Sequence, residues 1–423
     1  MRTPYLSGLD NIQSITTLFA MIVGGALIAG LASRLVRTRG ILTAMLLGVS
    51  LDTIVLIGLV AAFGVLDADA RLWHSLGTIA SQTITEDVSD QYHSTLVKDG
   101  KEGYIWILGT LYAIGGPAPL LGIGLNIIVH ILTVAVVART TQEIAGAAEL
   151  AEHHSSRAVL AAGLISAILP CFTIWAPQLL RESLTVFLIA ATICSAVAFV
   201  RRRRLSSLLV MVGSVVILTW IRQTLGLSIG IAVLSGALFT LMNRGTHVRM
   251  LRSALAIAAI PAIPLILQQI MILTDIDAES IVGTTADLSE TASSGFPGLG
   301  DGTSLAAVFG VTLPRVIAGP FPWEMTTDFV MLLALMDLLC WASVVLTAFL
   351  ALRYFRNGEH LSRARWLLPL ILITGIALTL GLSMITGNYG LLARFRPTAT
   401  IIFVPLSAIW IAMTKRSVPH RHV

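Results

Sequence analysis

The chain has 423 residues, of which 56% are hydrophobic and only 12% are charged, and its mean hydropathy is +0.85. A soluble domain carries roughly 25% charged residues, so this composition excludes an ordinary water-soluble protein. The formal net charge is +5, but the arginines are dispersed and form no groove, which argues against a nucleic-acid partner. The composition therefore predicts a polytopic membrane protein.

Apolar runs that are long enough to cross a bilayer, about 17 to 25 residues, recur along the whole chain. The runs are continuous and do not alternate with polar residues, which favours helices over a lipid-facing barrel. We therefore predict an all-α membrane protein. Its eleven or so transmembrane helices are expected at 15–33, 41–66, 118–138, 158–177, 183–200, 205–220, 224–242, 253–274, 329–352, 367–386 and 397–414.

The distribution of cations predicts the orientation of these helices. With an external N-terminus, the inner loops hold most of the 28 lysines and arginines, and the outer loops hold most of the acids. This arrangement satisfies the positive-inside rule. Arg34, Arg37 and Arg39 follow the first span without a small-residue cleavage site, which predicts a retained anchor and not a signal peptide. We expect residues 1–40 to form this anchor and its inner loop, and residues 41–423 to form one membrane domain.

Two predicted outer segments, 67–117 and 275–328, are too long to be turns. The first contains polar and amphipathic pieces, and the second ends in an apolar, proline-rich piece at 303–323 that we expect to lie in the membrane interface with Trp323 at headgroup depth. Loops of this size are usually functional or disordered. Because both segments fall on the external face, we expect them to enclose one cavity together with residues 387–396.

Acidic residues stand where the second span leaves the bilayer. Asp67 or Asp69 could take a proton from an incoming hydroxyl group, as a general base does; the alternative is an ordinary polar helix end. Trp73 and His74 follow within the same segment. They could stack on a sugar and share a proton, or they could anchor an interfacial helix.

Arginines also lie on the predicted outer face. Arg181 with Glu182, and Arg222 on a short turn, are expected either to bind an anionic head group or to snorkel and pair. Arg394 and Arg396 stand just before the last predicted span, against the positive-inside bias. A guanidinium group offers bidentate donors to a phosphate, so these two residues predict a phosphate or diphosphate site.

Two carboxylates, Asp52 and Asp337, fall inside predicted spans, where a charge is expensive and therefore a functional candidate. No matching intramembrane Lys, Arg or His is expected to complete a proton relay, so helix packing is the preferred interpretation. The three cysteines, Cys171, Cys194 and Cys340, lack metal-ligand spacing and are expected to be packing residues, and no metal site is predicted. The chain also lacks a phosphate-binding P-loop, a GxSxG elbow and an HExxH zinc pair.

Four stretches resemble bacterial polyprenyl-phosphate-dependent glycosyltransferases of the C-type (GT-C) membrane fold, the group that contains protein mannosyltransferases. They are the acidic stretch from Asp69 to His74; Gly103-Tyr104 with Leu111-Tyr112, Gly115 and Leu125-Asn126; the stretch from Pro170 through Trp175 to Arg181-Glu182; and Arg394 to Pro397. Leu313-Pro314-Arg315 with Gly319 to Trp323 is similar to a segment of uncharacterised members.

The resemblance implies a multi-pass enzyme of the bacterial cytoplasmic membrane that acts on its outer face. Asp69, with Asp67 in reserve, would deprotonate the acceptor hydroxyl, and Arg394 and Arg396 would hold the phosphate of a polyprenyl-phosphate sugar with help from Arg181. The acceptor would be a glycan, a lipid or a protein. No cofactor is certain, although the paired acids permit a divalent metal ion.

The sequence is also compatible with two other functions. A polymerase or ligase of lipid-linked oligosaccharides would use the same membrane face and the same arginines. A lipid or solute transporter would depend instead on Asp52 and Asp337, although the chain shows no obvious symmetry between its halves of the kind that many transporters have.

Overall fold

Helices dominate the computed structural model, which describes residues 4, 11–36, 38–64, 66–86, 102–242, 295–296, 305–357 and 364–414. No named strand occurs among these residues. The α-helices are α1 (Asn11–Ser33), α2 (Ile41–Phe63), α3 (Ala68–Glu86), α4 (Glu102–Gly115), α5 (Pro119–Ala147), α6 (Glu152–Ile168), α7 (Pro170–Thr173), α8 (Glu182–Arg202), α9 (Leu205–Ile221), α10 (Gln223–Met242), α11 (Leu305–Ala318), α12 (Phe329–Asn357), α13 (Leu368–Ile385) and α14 (Tyr389–Thr414). Short 3-10 turns lie at Pro322–Glu324 and Arg365–Leu367.

Eight of the described helices are long and apolar enough to cross a membrane: α1, α2, α5, α8, α10, α12, α13 and α14. The chain is therefore an α-helical, multi-pass membrane protein. The predicted span 205–220 coincides with α9, and the first part of the predicted span 158–177 overlaps α6; each of these helices has 17 residues. The predicted span 253–274 lies outside the described residues, so the full number of eleven stays a prediction.

The last helix, α14, lies at the centre of the bundle. It packs against α5, α6, α8, α12 and α13, and most of its residues are buried. Helices α5 and α8 are also largely buried, whereas less than a quarter of the spans in α1 and α2 is buried. A helix that is apolar on all sides suits either a membrane span or the centre of a bundle. Because α14 lies at the centre, side chains near its N-terminus lie close to several other helices.

The first outer segment forms two helices, α3 and α4, that pack closely against each other. The close approach depends on glycine: a Cβ atom at Gly109 would lie 2.5 Å from the Cβ of Ala80, and one at Gly77 would lie 2.9 Å from the Cβ of Leu108. Residues 87–101 between the helices lie outside the described residues. The pair α3 and α4 thus provides a rigid base for the acidic residues at the start of α3.

A single buried carboxylate ties together the opposite end of the bundle, where the predicted inner loops lie. Glu143 on α5 accepts contacts from Arg139 at 2.8 Å, Arg201 at 2.7 Å and Arg202 at 2.6 Å. The excess of cations at this end agrees with the charge pattern that the positive-inside rule predicts for the cytoplasmic side.

Several helix boundaries differ from the predictions, and two of them involve proline. The predicted span 158–177 is broken after Ile168, because Leu169 precedes Pro170 and adopts an extended backbone (φ −63°, ψ 129°). The last helix begins at Tyr389 and not at 397, so Arg394 and Arg396 lie inside α14 and not in a turn before it. Pro397 is tolerated because neighbouring groups satisfy the carbonyl groups near it.

The prediction that no intramembrane Lys, Arg or His matches Asp52 or Asp337 was wrong. Asp52 on α2 contacts the Nδ1 atom of His130 on α5 at 2.7 Å, and Asp337 on α12 contacts Arg396 on α14 at 2.9 Å. All four side chains are buried. Each pair joins two helices inside the bundle, where a lone charge would be costly.

Candidate functional site

A cavity of about 160 Å³ opens at the end of the bundle that the positive-inside rule predicts to face outward, and is called the outer cavity below. It lies between the start of α3, the start of α8, the turn before α10 and the start of α14. Its charged and aromatic lining residues are Asp69, Trp73, Arg181, Glu182, Arg222, Arg394 and Phe395. Leucine and isoleucine side chains complete the lining. The fold therefore brings six of the predicted site residues into one cavity, although they come from four separate parts of the sequence.

Asp67 and Asp69 share one arginine. The Nη1 atom of Arg394 donates a hydrogen bond to Oδ2 of Asp69, and its Nη2 atom donates to Oδ2 of Asp67 at 3.2 Å. Asp67 also accepts a hydrogen bond from the backbone N–H of Ala70 at 2.7 Å, so it caps the N-terminus of α3. Asp67 therefore has a local structural role, whereas Asp69 lines the cavity with a side chain that is 52% exposed and open to a ligand.

Arg394 is held in place by an irregularity of α14. Pro397 has no N–H group, so it leaves the carbonyl of Ala393 without its usual helical donor. The indole Nε1 of Trp175 donates to this carbonyl at 3.0 Å. The same indole ring lies 5.5 Å from the guanidinium group of Arg394, which provides a cation–π contact and fixes the arginine at the rim of the cavity.

Arg181 is positioned by the turn that precedes α8. The side-chain amide of Asn126 donates to the carbonyls of Gln178 at 2.6 Å and Leu180 at 2.7 Å, which fastens this turn to α5. Arg181 donates to the carbonyl of Ile221 at 3.2 Å, and its guanidinium group lies 5.2 Å from the ring of Trp73. Burial lowers the pKa of Arg181, while neighbouring Glu182 raises it.

Arg222 and Glu182 form the deepest charged part of the cavity. The Nη2 atom of Arg222 lies 3.9 Å from Oε1 of Glu182, and the side chain of each residue is only 7% exposed. Arg222 also stacks 3.8 Å from the ring of Phe395. Burial, and then repulsion by Arg181, lower the pKa of Arg222 to about 9, while Glu182 raises it.

The Arg222 and Glu182 pair is not saturated with hydrogen bonds. The Oε2 atom of Glu182 and the Nη1 atom of Arg222 are buried and have no hydrogen-bond partner. Buried polar atoms are nearly always paired in folded proteins, and each exception needs an explanation. A ligand that occupies the cavity would supply the missing partners.

His74 and Arg396 lie outside the cavity. His74 faces α4, where its Nδ1 atom lies 3.1 Å from the hydroxyl of Tyr112, and burial lowers its pKa. Arg396 is 1% exposed. It contacts Asp337 and donates to the carbonyls of Arg315, Val316 and Gly319 at 2.8 to 3.1 Å, which caps the C-terminus of α11. In this structure Arg396 is a structural anchor with no access to a ligand.

The second outer segment attaches to the start of α14 but does not line the cavity with any described residue. Glu324 accepts hydrogen bonds from Arg315 and Tyr389, and the backbone N–H of Phe296 donates to the carbonyl of Gly387 at 2.9 Å. Residues 275–294 and 297–304 lie outside the described residues. The expectation that both outer segments enclose one cavity is therefore met by the first segment, and it stays a prediction for the second.

A smaller cavity of about 20 Å³ lies beneath the first one. Glu182 and Arg394 line both cavities, and the lower one also contacts His130, Thr133 and Ser183. This volume suffices for about one water molecule. Its lining thus includes His130, the partner of Asp52, beside two residues of the outer cavity.

Phe395 and His130 are the contributors that the sequence reasoning missed. Phe395 adjoins Arg394 and shows no separate signal. His130 did show a signal, because an ionisable side chain inside a predicted membrane span is a functional candidate, as Asp52 is. Among the described residues, no group of three His, Cys, Asp or Glu side chains could hold a metal ion. The chain matches no family model, no curated protein and no solved structure.

Proposed function

We propose that the protein is a glycosyltransferase that moves a hexosyl or pentosyl group from a polyprenyl-phosphate donor to an acceptor at the outer face of the bacterial cytoplasmic membrane. The observation that carries this proposal is the outer cavity, which a carboxylate, Asp69, lines together with the half-buried Arg181 and the buried Arg222. The acceptor is a glycan, a lipid or a protein, and membrane lipid surrounds the site. A GT-C-like fold is part of the same proposal.

The charges favour a monophosphate donor. Arg394 meets two carboxylates, Asp67 and Asp69, so the rim of the cavity carries one surplus negative charge. The deeper part holds Arg181 and Arg222 against the single carboxylate of Glu182. The one surplus positive charge of that deeper part matches the single negative charge of a phosphodiester between a lipid and a sugar. We assign the phosphate to Arg181 and Arg222, in place of Arg394 and Arg396.

Asp69 is the general base in this proposal. The acceptor hydroxyl gives its proton to the carboxylate of Asp69, its oxygen forms a bond to the anomeric carbon, and the bond from that carbon to the phosphate oxygen breaks. The lipid phosphate leaves with the electron pair, held by Arg181 and Arg222. Arg394 orients Asp69, and Trp73 provides an apolar surface for the sugar.

The test compares two isosteric variants in purified protein with a polyprenyl-phosphate sugar and an acceptor. Asp69→Asn should lower turnover by about 10² to 10⁴-fold, because general-base catalysis supplies about that factor. Asp67→Asn should retain most activity, because asparagine is as good an N-cap as aspartate. Full activity of both variants would refute the mechanism.

A proton-coupled transporter is the second candidate, and one observation favours it: the His130 and Asp52 pair beneath the outer cavity. The Nε2 atom of His130 faces the carbonyl of Ser166 at 2.9 Å, so Nε2 carries a hydrogen, and the contact with Asp52 must contain one shared proton. A transporter that moves this proton should lose function in Asp52→Asn, whereas the enzyme should depend on Asp69. An oligosaccharide polymerase or ligase would require a larger donor than a phosphodiester that carries one sugar.

A further inference from the structure

The unsatisfied atoms of the deep pair indicate what kind of ligand group the cavity receives. The Nη1 atom of Arg222 requires an acceptor, and the Oε2 atom of Glu182 requires a donor. A phosphate alone would satisfy the arginine but would repel the carboxylate. A ligand that satisfies both atoms must present an anionic oxygen and a hydroxyl group close together.

The distance between the two side chains points in the same direction. At 3.9 Å between Nη2 and Oε1, the pair is too far apart for a direct hydrogen bond, although both groups are buried. A carboxylate whose role was only to neutralise Arg222 would be expected to meet it at about 2.7 to 2.9 Å. The gap leaves room for hydrogen bonds from each partner to a third group.

We infer that Glu182 is a specificity-determining residue that binds a hydroxyl group of the donor sugar while Arg222 binds the adjoining phosphate; this inference depends on the proposed function. The 2-hydroxyl is the natural candidate, because C2 adjoins the anomeric carbon that carries the phosphate. Glu182 accepts a charge-assisted hydrogen bond from this hydroxyl. Donors that lack the hydroxyl leave a buried carboxylate without a partner, which is a strong basis for discrimination.

The experiment measures binding of short-chain probes to the full-length protein in detergent. The probes are farnesyl phosphate, farnesyl-phosphoryl glucose and the 2-deoxy derivative of the latter. Farnesyl-phosphoryl arabinose and its 2-deoxy derivative are measured in parallel. For wild type, we expect the hydroxyl-bearing sugar to bind at least about tenfold more tightly than its 2-deoxy derivative. In Glu182→Gln this ratio should fall by about tenfold.

Farnesyl phosphate separates a recognition role of Glu182 from a purely structural one. Removal of the negative charge beside Arg222 should make Glu182→Gln bind this sugar-free anion as tightly as wild type or more tightly. A structural defect would instead weaken every probe. Glu182→Asp keeps the charge but withdraws the carboxylate, so it should lose the hydroxyl preference while the thermal unfolding temperature is retained.

Glu143→Gln is the matched control, since Glu143 is another buried carboxylate among arginines but lies at the opposite end of the bundle. It should leave the binding ratios unchanged. An unchanged ratio in both Glu182 variants would overturn the inference but leave the proposed function intact. If farnesyl phosphate failed to bind, or bound equally well to Arg222→Gln, the donor site of the proposed function would itself be refuted.

Discussion

Asp337→Asn and Asp52→Asn provide a strong test of the buried pairs. The same substitution should clearly lower the free energy of unfolding at position 337 and should leave it nearly unchanged at position 52. Asp337 neutralises Arg396, a guanidinium that stays charged in proteins. Asparagine at 337 would leave this cation buried without a counter-charge. Breaking a buried ion pair by removing one partner costs about 3 to 5 kcal/mol; the three carbonyl bonds of Arg396 remain, so we expect the lower end of this range.

Asp52→Asn should be nearly neutral for stability. His130 can be uncharged, with its Nε2 hydrogen donated to the carbonyl of Ser166 and its Nδ1 atom as an acceptor. The amide of an asparagine at 52 would donate to that Nδ1 atom and leave no buried charge. The expected cost is below about 1 kcal/mol, within the range of one exchanged hydrogen bond.

The assay is reversible unfolding in mixed micelles with an increasing fraction of a denaturing detergent, followed by tryptophan fluorescence. The expected difference of about 2 kcal/mol or more corresponds to roughly a 30-fold difference in the ratio of folded to unfolded protein. Equal destabilisation by the two variants, or a larger loss for Asp52→Asn, would refute this reasoning. It would mean that Asp337 and Arg396 are not an obligatory ion pair, or that the contact between Asp52 and His130 is not an uncharged hydrogen bond.

Two further predictions concern the helix pair α3 and α4. Burial lowers the pKa of His74 below its ordinary value of 6.5. Just below pH 6.5 the unfolded chain therefore binds more protons than the folded chain. The contact between α3 and α4 should be fully stable above that pH and should weaken as the pH falls. Hydrogen exchange of residues 68–86 at about pH 5 and 7.5, on either side of that value, checks this, and His74→Gln should remove the pH dependence. Gly109→Ala should separate α3 from α4 and lower thermal stability, whereas Gly58→Ala, where the added Cβ meets nothing within 4 Å, should not; equal unfolding temperatures would contradict the packing argument.

Much of the fold follows from the sequence because hydrophobicity in a membrane is a local property. The apolar runs at 183–200 and 329–352 coincide with α8 and α12, since a bilayer leaves the backbone of such a run no alternative to a helix. Helix ends were harder to predict. Leu169 ends α6 as the rule for residues before proline requires, but Pro397 lies inside α14, because Trp175 takes the carbonyl that it leaves free.

The site could be predicted in its parts but not in its arrangement. Arg181, Glu182 and Arg222 were selected for their type and their place on the outer face. Glu182 and Arg222 approach each other without a direct hydrogen bond, and this geometry depends on the tertiary structure. It could not be predicted from the spacing of the two residues, because α8 and α9 lie between them in the sequence. The partners of Asp52 and Asp337 were missed for the same reason: each pair connects helices that are distant in sequence.

The two arginines of α14 show how one boundary error changes a functional assignment. In a turn, Arg394 and Arg396 could both face the same phosphate, which is what the sequence suggested. In an α-helix, successive residues are rotated by about 100°, so two residues two positions apart point about 200° apart and lie on opposite faces. Once α14 begins at Tyr389, only one of them can face the outer cavity. Arg394 faces it and holds the two aspartates, and Arg396 faces inwards and holds α11 and α12. The helix therefore couples the rim of the cavity to the packing of the second outer segment through two residues of a single helical turn.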